Sequence, residues 1–306
     1  MIQSFITGID ISHQHIRAVV IKPIKNTCKL VRCYQMPLDN HILTDNDRLN
    51  YQKIVKKLEE LRKALPLFSR KVCLSIPDNM LITKQLQLDS DLNQEECQFV
   101  IKQTLSKHSV IEIDELYFDF EVLPSESQNH TASRYQVYAA RKHDIDGLMS
   151  ACSRAGLTSL LINPYSSNLI QLLRYALHHY RDKNWLLIGL NGSCLAMCFE
   201  SKQHGSVYHQ VEVGKEISAI SDGLRSLFLH IQLLKITPKG IWLTGEASLD
   251  SVQVMKSLSE ATFPCIDLPL VKLAKCQNQL SLPRECFHAF GLALSGANWL
   301  GYFDGI

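Results

Sequence analysis

No run of apolar residues in this 306-residue chain reaches the roughly 18 that a membrane-crossing helix needs, which argues against a helical integral membrane protein. Nor is there a Lys/Arg-rich block. With 32 basic and 30 acidic residues the net charge is +2, so nothing recommends nucleic acid as a direct partner. The opening MIQSF lacks the charged and apolar regions of a secretory leader. The ten cysteines, at positions 28, 33, 73, 97, 152, 194, 198, 265, 276 and 286, form no C-x-x-C and no Cys/His cluster with zinc spacing. Scattered free thiols suit a reducing compartment. The expectation is a soluble protein made and kept in the cytosol.

What is present is ordinary globular material: 46% hydrophobic and 20% charged residues, enough for one large or two medium domains. Organisation begins at Phe5–Ile21, FITGIDISHQHIRAVVI, which reads as a buried strand, a short polar turn and a second buried strand. Asp10 sits near the end of the first strand and Arg17 opens the second. A charge stripped of water costs several kcal/mol or more unless it is met, so Asp10 needs a metal, a cation or hydrogen-bond donors. Backbone N–H groups of a tight turn between strands can also cradle an anion.

Further along, Tyr51, Ile54, Leu58, Leu61 and Leu65 recur at helical spacing until Pro66. Val72–Ile76 is a short strand stopped by Pro77-Asp78-Asn79. The next segment has a different grain. A strand over 80–88 is followed by an Asn93/Glu96 capping box opening a helix. Then come strands over 116–123 and 135–140, joined by a polar loop, and a helix over 144–155 ending at Gly156. Asn163 and Pro164 read as an N-cap and first-turn proline for a helix burying Leu169, Ile170, Leu173, Ala176 and Leu177. Trp185–Phe199 repeats the opening pattern of strand, turn and strand, with Asn191-Gly192 as a two-residue hairpin turn. A strand to Val213 turns at Gly214 into a helix with Ile217, Ile220, Leu224, Leu227, Phe228, Ile231 and Leu234 inward. Gly240–Ala247 is a strand running into a small-residue turn.

The residues Gly8-Ile9-Asp10-Ile11 resemble the opening of the type IV pilus assembly protein PilM and its competence relatives, the ComA and HofM proteins. More broadly they resemble the first phosphate loop of actin-like ATPases, with Ser12 at the family glycine and Arg17 at the family lysine. The segment 74–157 resembles the insert of that family in order and spacing. It carries Leu74-Ser75-Ile76-Pro77, Leu92-Asn93-Gln94-Glu95-Glu96, Asp119-Phe120-Glu121-Val122-Leu123, Val137-Tyr138-Ala139-Ala140-Arg141 and Ala155-Gly156-Leu157. Leu243, Gly245 and Ala247 resemble the adenosine motif, with Glu246 at its second glycine, and Phe290-Gly291-Leu292-Ala293-Leu294 resembles the second connection.

The resemblance implies an α/β fold of two actin-like, ribonuclease H-like domains flanking a cleft, with a small α+β subdomain inserted in the first. Residues 1–79, 156–183 and 287–306 would form the first domain, 80–155 the insert and 184–286 the second domain. The nucleotide positions it implies are Asp10, Ser12, Arg17, Asn191, Gly192, Ser193, Gly214, Gly245 and Glu246, with Asp10 as a Mg²⁺ ligand and ATP and Mg as the cofactors. Hydrolysis in this fold uses carboxylates placed around Mg²⁺ and two phosphate-binding turns. Asn163 and Gly189 stand where the family has aspartates, and glycines are replaced at 12, 191 and 246. The expectation is therefore a non-enzymatic scaffold of type IV or competence pilus assembly, peripheral to the inner membrane. Its partners would be the cytoplasmic N-terminal tail of a PilN-like inner-membrane protein, held in a groove between the first domain and the insert, and other platform proteins of the pilus. The alternative is an active Mg-ATPase of the same fold.

Overall fold

The opening strand pair becomes the middle of a five-stranded sheet. The computed structural model describes residues 5–12, 14–38, 50–123, 132–201, 205–214, 216–245, 263–275 and 280–303. β1 (Ile6–Ile11), β2 (His15–Ile24) and β3 (Thr27–Pro37) run antiparallel. β4 (Lys71–Ile76) joins β1 in parallel, and β8 (Thr158–Pro164) joins β4, giving the order β3-β2-β1-β4-β8. β1 is buried on both faces, which its near-continuous apolar run requires.

Helix α1 (Tyr51–Ala64) lies between β3 and β4 in the chain and buries Ile54, Leu58 and Leu61 on one face. Asn50 caps its start by accepting from the Lys53 N–H. Helix α3 (Lys142–Arg154), expected as part of the inserted unit, turns its buried side elsewhere. Its Leu148, Ala151 and Cys152 join Ile54, Leu58, Val72 and Leu74 in the outer layer of the first sheet.

Between β4 and α3 stands a separate three-stranded sheet, β5-β7-β6, from β5 (Ile82–Asp89), β6 (Leu116–Leu123) and β7 (Ala132–Arg141). Its apolar face packs on α2 (Gln94–His108) around Ile101, Leu105, Leu116, Val137 and Ala139. The capping box read at Asn93 and Glu96 is formed. The polar loop expected before β7 lies largely outside the described residues.

The second half repeats the first. β9 (Trp185–Asn191), β10 (Cys194–Ser201) and β11 (Gly205–Glu212) are antiparallel. Helix α5 (Ile217–Leu233) follows, then β12 (Gly240–Gly245) and β13 (Cys265–Asp267) continue the sheet in parallel, in the order β11-β10-β9-β12-β13. A short helix α6 (Leu270–Leu273) and a 3₁₀ turn at Arg284–Cys286 lead to the last helix, α7 (Phe287–Trp299).

Two helices tie the sheets together. α4 (Tyr165–Tyr180) follows β8, and its Leu169, Leu172, Leu173 and Ala176 share one core with Leu187, Ala196 and Cys198 of the second sheet. α7 follows the second sheet, and its Ala289, Leu292, Ala293 and Ala297 share that core with Ile6, Val19 and Cys73 of the first. Gly8 makes the α7 contact feasible: a Cβ there would stand 1.9 Å from the Ala289 carbonyl oxygen. Where α7 crosses α4, a Cβ on Gly291 would meet the Asn168 carbonyl oxygen at 2.5 Å.

Candidate functional site

The site is built where the two repeated hairpins face one another. Asp10 and Arg17 are directly opposed in the β1–β2 register, so both side chains leave the same face of the sheet. Each is only 2% exposed. The Arg17 guanidinium reaches out of the first sheet. Its Nε donates to Gln35 Oε1 at 3.1 Å on β3, and its Nη1 donates to Asn191 Oδ1 at 3.3 Å, at the end of β9 in the second sheet. Asn191 in turn donates from Nδ2 to the Tyr165 hydroxyl at 3.0 Å. The Tyr165 ring stacks on the His288 imidazole, centroids 3.4 Å apart. His288 Nδ1 lies 3.9 Å from Asp10 Oδ1. Five side chains from β1, β2, β9, α4 and α7 thus close a ring through the junction of the halves.

The electrostatics follow from burial. His288 is 1% exposed and neither ring nitrogen has a hydrogen-bond partner. Loss of water pushes its pKa down to about 3, so the ring is neutral at pH 7 and forms no ion pair with Asp10. Burial, then the Asp10 charge, raise the half-buried Tyr165 phenol well above its usual value. Arg17 is therefore the cation of the ring.

The remaining expected positions lie around this ring. Ser12 holds the first hairpin: its N–H and hydroxyl both donate to the His15 carbonyl, at 2.9 and 3.0 Å, and its Oγ accepts from the His15 N–H at 3.2 Å. The second hairpin turns one residue later than expected. Cys194 pairs with Asn191, so Gly192-Ser193 is the two-residue loop, with Gly192 at φ +59°. A glycine at the first central position of a hairpin turn suits that conformation. The Val213 N–H donates to the Ser193 carbonyl at 2.7 Å, which sets Gly214 beside this turn. Gly245, at φ +91°, pairs with Leu190, and a Cβ there would stand 2.0 Å from the Leu190 oxygen. Glu246 lies outside the described residues.

Asn163 and Pro164 do not cap as expected. Both belong to β8, and the helix starts at Tyr165. Its N-terminus is capped from the 3₁₀ turn (Asp78–Met80) that follows β4. Asp78 accepts from the Ser166 N–H at 2.9 Å and from the Ser166 hydroxyl at 2.5 Å. Burial raises the Asp78 pKa, opposed by those two hydrogen bonds. The base of the insert is thereby joined to the residue next to Tyr165 in the ring.

The ring offers a Mg²⁺ ion one carboxylate, Asp10. That ion takes six oxygen ligands, several of them water. Asp10 is faced by a neutral imidazole and a guanidinium instead, and no group of three or more His, Cys, Asp and Glu among the described residues could hold a metal. At Gly189, where the resemblance has an aspartate, a Cβ would stand 2.9 Å from the Phe287 ring.

Sequence reasoning named Asp10, Arg17 and Asn191 but missed Tyr165, His288, Gln35 and Asp78. A signal existed for one of them: His288 is a single histidine in the apolar run FHAFGLALSG.

Comparison with known proteins agrees with this architecture. At the level of fold, a solved PilM-PilN type IV pilus biogenesis complex matches with a TM-score of 0.73 at 16% identity, over 96% of this chain and 98% of that one. A protein of Bacteroides thetaiotaomicron described as having an actin-like ATPase fold and unknown function matches with a TM-score of 0.52 at 11% identity, over 95% and 96% of the two chains. The DNA utilization protein HofM of Escherichia coli K12 is 24% identical over 179 residues, 58% of this chain and 66% of that protein, just under two thirds of its length. The family described as type IV pilus assembly protein PilM matches residues 8–187, more than half of the chain. With two repeated sheets, exchanged helices and an insert between β4 and β8, this actin-fold chain belongs to the PilM family of type IV pilus assembly proteins.

Proposed function

We propose that this chain is a cytoplasmic scaffold of type IV or competence pilus assembly, that it holds the cytoplasmic N-terminal tail of a PilN-like inner-membrane protein, and that its nucleotide site is degraded. The observation that carries the last point is the direct bond from Arg17 to Asn191. In the actin-like arrangement the phosphates lie between the two hairpins; here the hairpins touch through protein side chains. Phe287 against Gly189 closes the place of a second carboxylate.

The likeness to a PilM-PilN complex over nearly the full chain supports the partner class. A cavity of about 360 Å³ lies where the insert meets α3, and it supports a docking groove. It is lined by Phe99, Ile113, Leu116 and Phe118, by the polar Glu95, Gln98, Lys102 and Asp114 and, from α3, by Lys142. Phe99 is 61% exposed. β6 pairs with β7 alone among the described strands, so its outer edge can accept an extended peptide, with pockets for alternate side chains. The apolar residues suit a tail with large apolar side chains; the charges of the lining are mixed, with Lys102 3.7 Å from Asp114.

Titration of the full chain with the partner's tail peptide tests the reading. Binding at tens of micromolar or tighter, weakened about tenfold by Phe99→Ala, is expected; no binding of the tail overturns it. In the same assay Mg-ATP at millimolar concentration leaves Tm unchanged. A rise in Tm that Asp10→Ala abolishes would favour an ATP-binding protein instead.

A further inference from the structure

We infer that the loop Leu65–Arg70 is a membrane-contact tip, which docks the first sheet on anionic lipid headgroups independently of any partner tail. The loop joins α1 to β4. Leu67 and Phe68 stand at its point, each 75% exposed. Tight turns ordinarily carry Gly, Asn, Asp or Ser in such places. Here two large apolar side chains are adjacent and held out to solvent by a fixed turn. The Ser69 N–H and hydroxyl both donate to the Pro66 carbonyl, at 3.0 and 2.7 Å, and Ser69 itself is buried. The Leu65 side chain below the tip is buried as well.

The tip itself and the residues that flank it carry only cations, the nearest acids in sequence being Glu59 and Glu60 further back on α1. The Arg62 guanidinium donates to the Leu67 carbonyl at 3.3 Å, which puts a cation against the tip. Lys63, Arg70 and Lys71 are exposed beside it. Arg154 joins them from the last turn of α3, because β8 begins next to β4, with Thr158 paired to Lys71 and its N–H bonded to the Arg70 carbonyl at 2.8 Å. From Leu61 to Pro77 and from Gly147 to Arg181 the sequence has no acidic residue. A C-terminal position on α1 accounts for Arg62 and Lys63 by itself, but not for Arg70, Lys71 or the two apolar side chains. Apolar residues that enter the headgroup region, ringed by cations that meet anionic lipid, form the two-part signal of a peripheral membrane contact. Because α1 and α3 both end where the parallel strands β4 and β8 begin, the tip lies at the opposite end of this sheet from Asp10.

Sedimentation of the full chain with lipid vesicles tests this without partner or nucleotide. Binding to mixed phosphatidylethanolamine–phosphatidylglycerol vesicles is expected, with little to phosphatidylcholine. Leu67→Ser with Phe68→Ser should weaken it by about tenfold or more. Arg70→Gln with Lys71→Gln should weaken it comparably and flatten its dependence on salt. All four positions are exposed, so each double variant should keep the wild-type Tm, and each is checked for this. Absence of binding to the anionic vesicles overturns the inference, as does equal binding to phosphatidylcholine, or full binding by the Leu67/Phe68 variant. Self-association without lipid that the same variant abolishes also overturns it, in favour of a second copy of the chain. The tail-peptide titration is a separate assay, so either reading can fail alone.

Discussion

Arg17 is the residue on which the junction depends. It is fully desolvated, it faces Asp10 across the β1–β2 pair, and it spans to the other half of the molecule. Two opposed buried charges add little net stability, but removing one strands the other at a cost of about 3–5 kcal/mol. Arg17→Met is therefore expected to lower the chemical-denaturation midpoint by that order of stability. Asp10→Asn with Arg17→Met should regain at least half of the loss, since both desolvated charges are gone. A loss under about 1 kcal/mol for the single variant, or no recovery in the double, would show that the pair is effectively solvated. Three members of this ring were legible as residue types in hairpin positions. Tyr165 was not, and His288 stood out only as a single histidine in an apolar run, because the stack that joins them spans more than a hundred residues and an aromatic ring or a histidine on an apolar helix reads as core.

At the scale of elements, periodicity identified most of the helices and strands, since each buries one side or both, but not β8, β13 or α6. It fell short where tertiary contacts chose the boundary. The start of α4 is the clearest example. Asn163 and Pro164 carry a local capping signal, yet β8 extends through both and a carboxylate from 88 residues upstream, Asp78, supplies the cap to Ser166. β13, three residues long, has no pattern of its own to read. The remote cap makes a prediction. Asp78→Ala removes two acceptors from a helix N-terminus and should cost about 1–2 kcal/mol, with Asp78→Asn costing less. Burial raises the Asp78 pKa in the folded state. Its protonated form therefore favours folding, and that contribution is present below the ordinary carboxylate pKa and lost as pH rises through the folded one. The Tm gap between wild type and Asp78→Ala should accordingly be wider near pH ~4 than at neutral pH. A gap that widens as pH rises would contradict the assignment.

The molecule as a whole is a repeat whose halves cannot be separated cleanly. The strand order of one five-stranded sheet reappears in the other, and the sequence signals this through its two strand–turn–strand openings at Phe5 and Trp185. What no local pattern shows is the exchange of helices. α4 is encoded with the first half and completes the core of the second, while α7 does the reverse, with Gly8 and Gly296 admitting it against β1 and Cys73. Each sheet thus depends on a helix encoded with the other, and the two should unfold together. In Trp299→Phe, fluorescence reports Trp185 and Trp242, which stack at 4.8 Å on the second sheet. Alkylation of Cys73, fully buried in β4 with its thiol pushed up to about 12, reports the first. The two denaturation curves are expected to coincide. A chain ended at Cys286 loses Ala289, Phe290, Leu292, Ala293, Leu294 and Ala297, all 0% exposed, and should show no cooperative transition in either signal. A first half that still protects Cys73 without α7 would mean that its sheet is self-sufficient and that the last helix serves only to join the two.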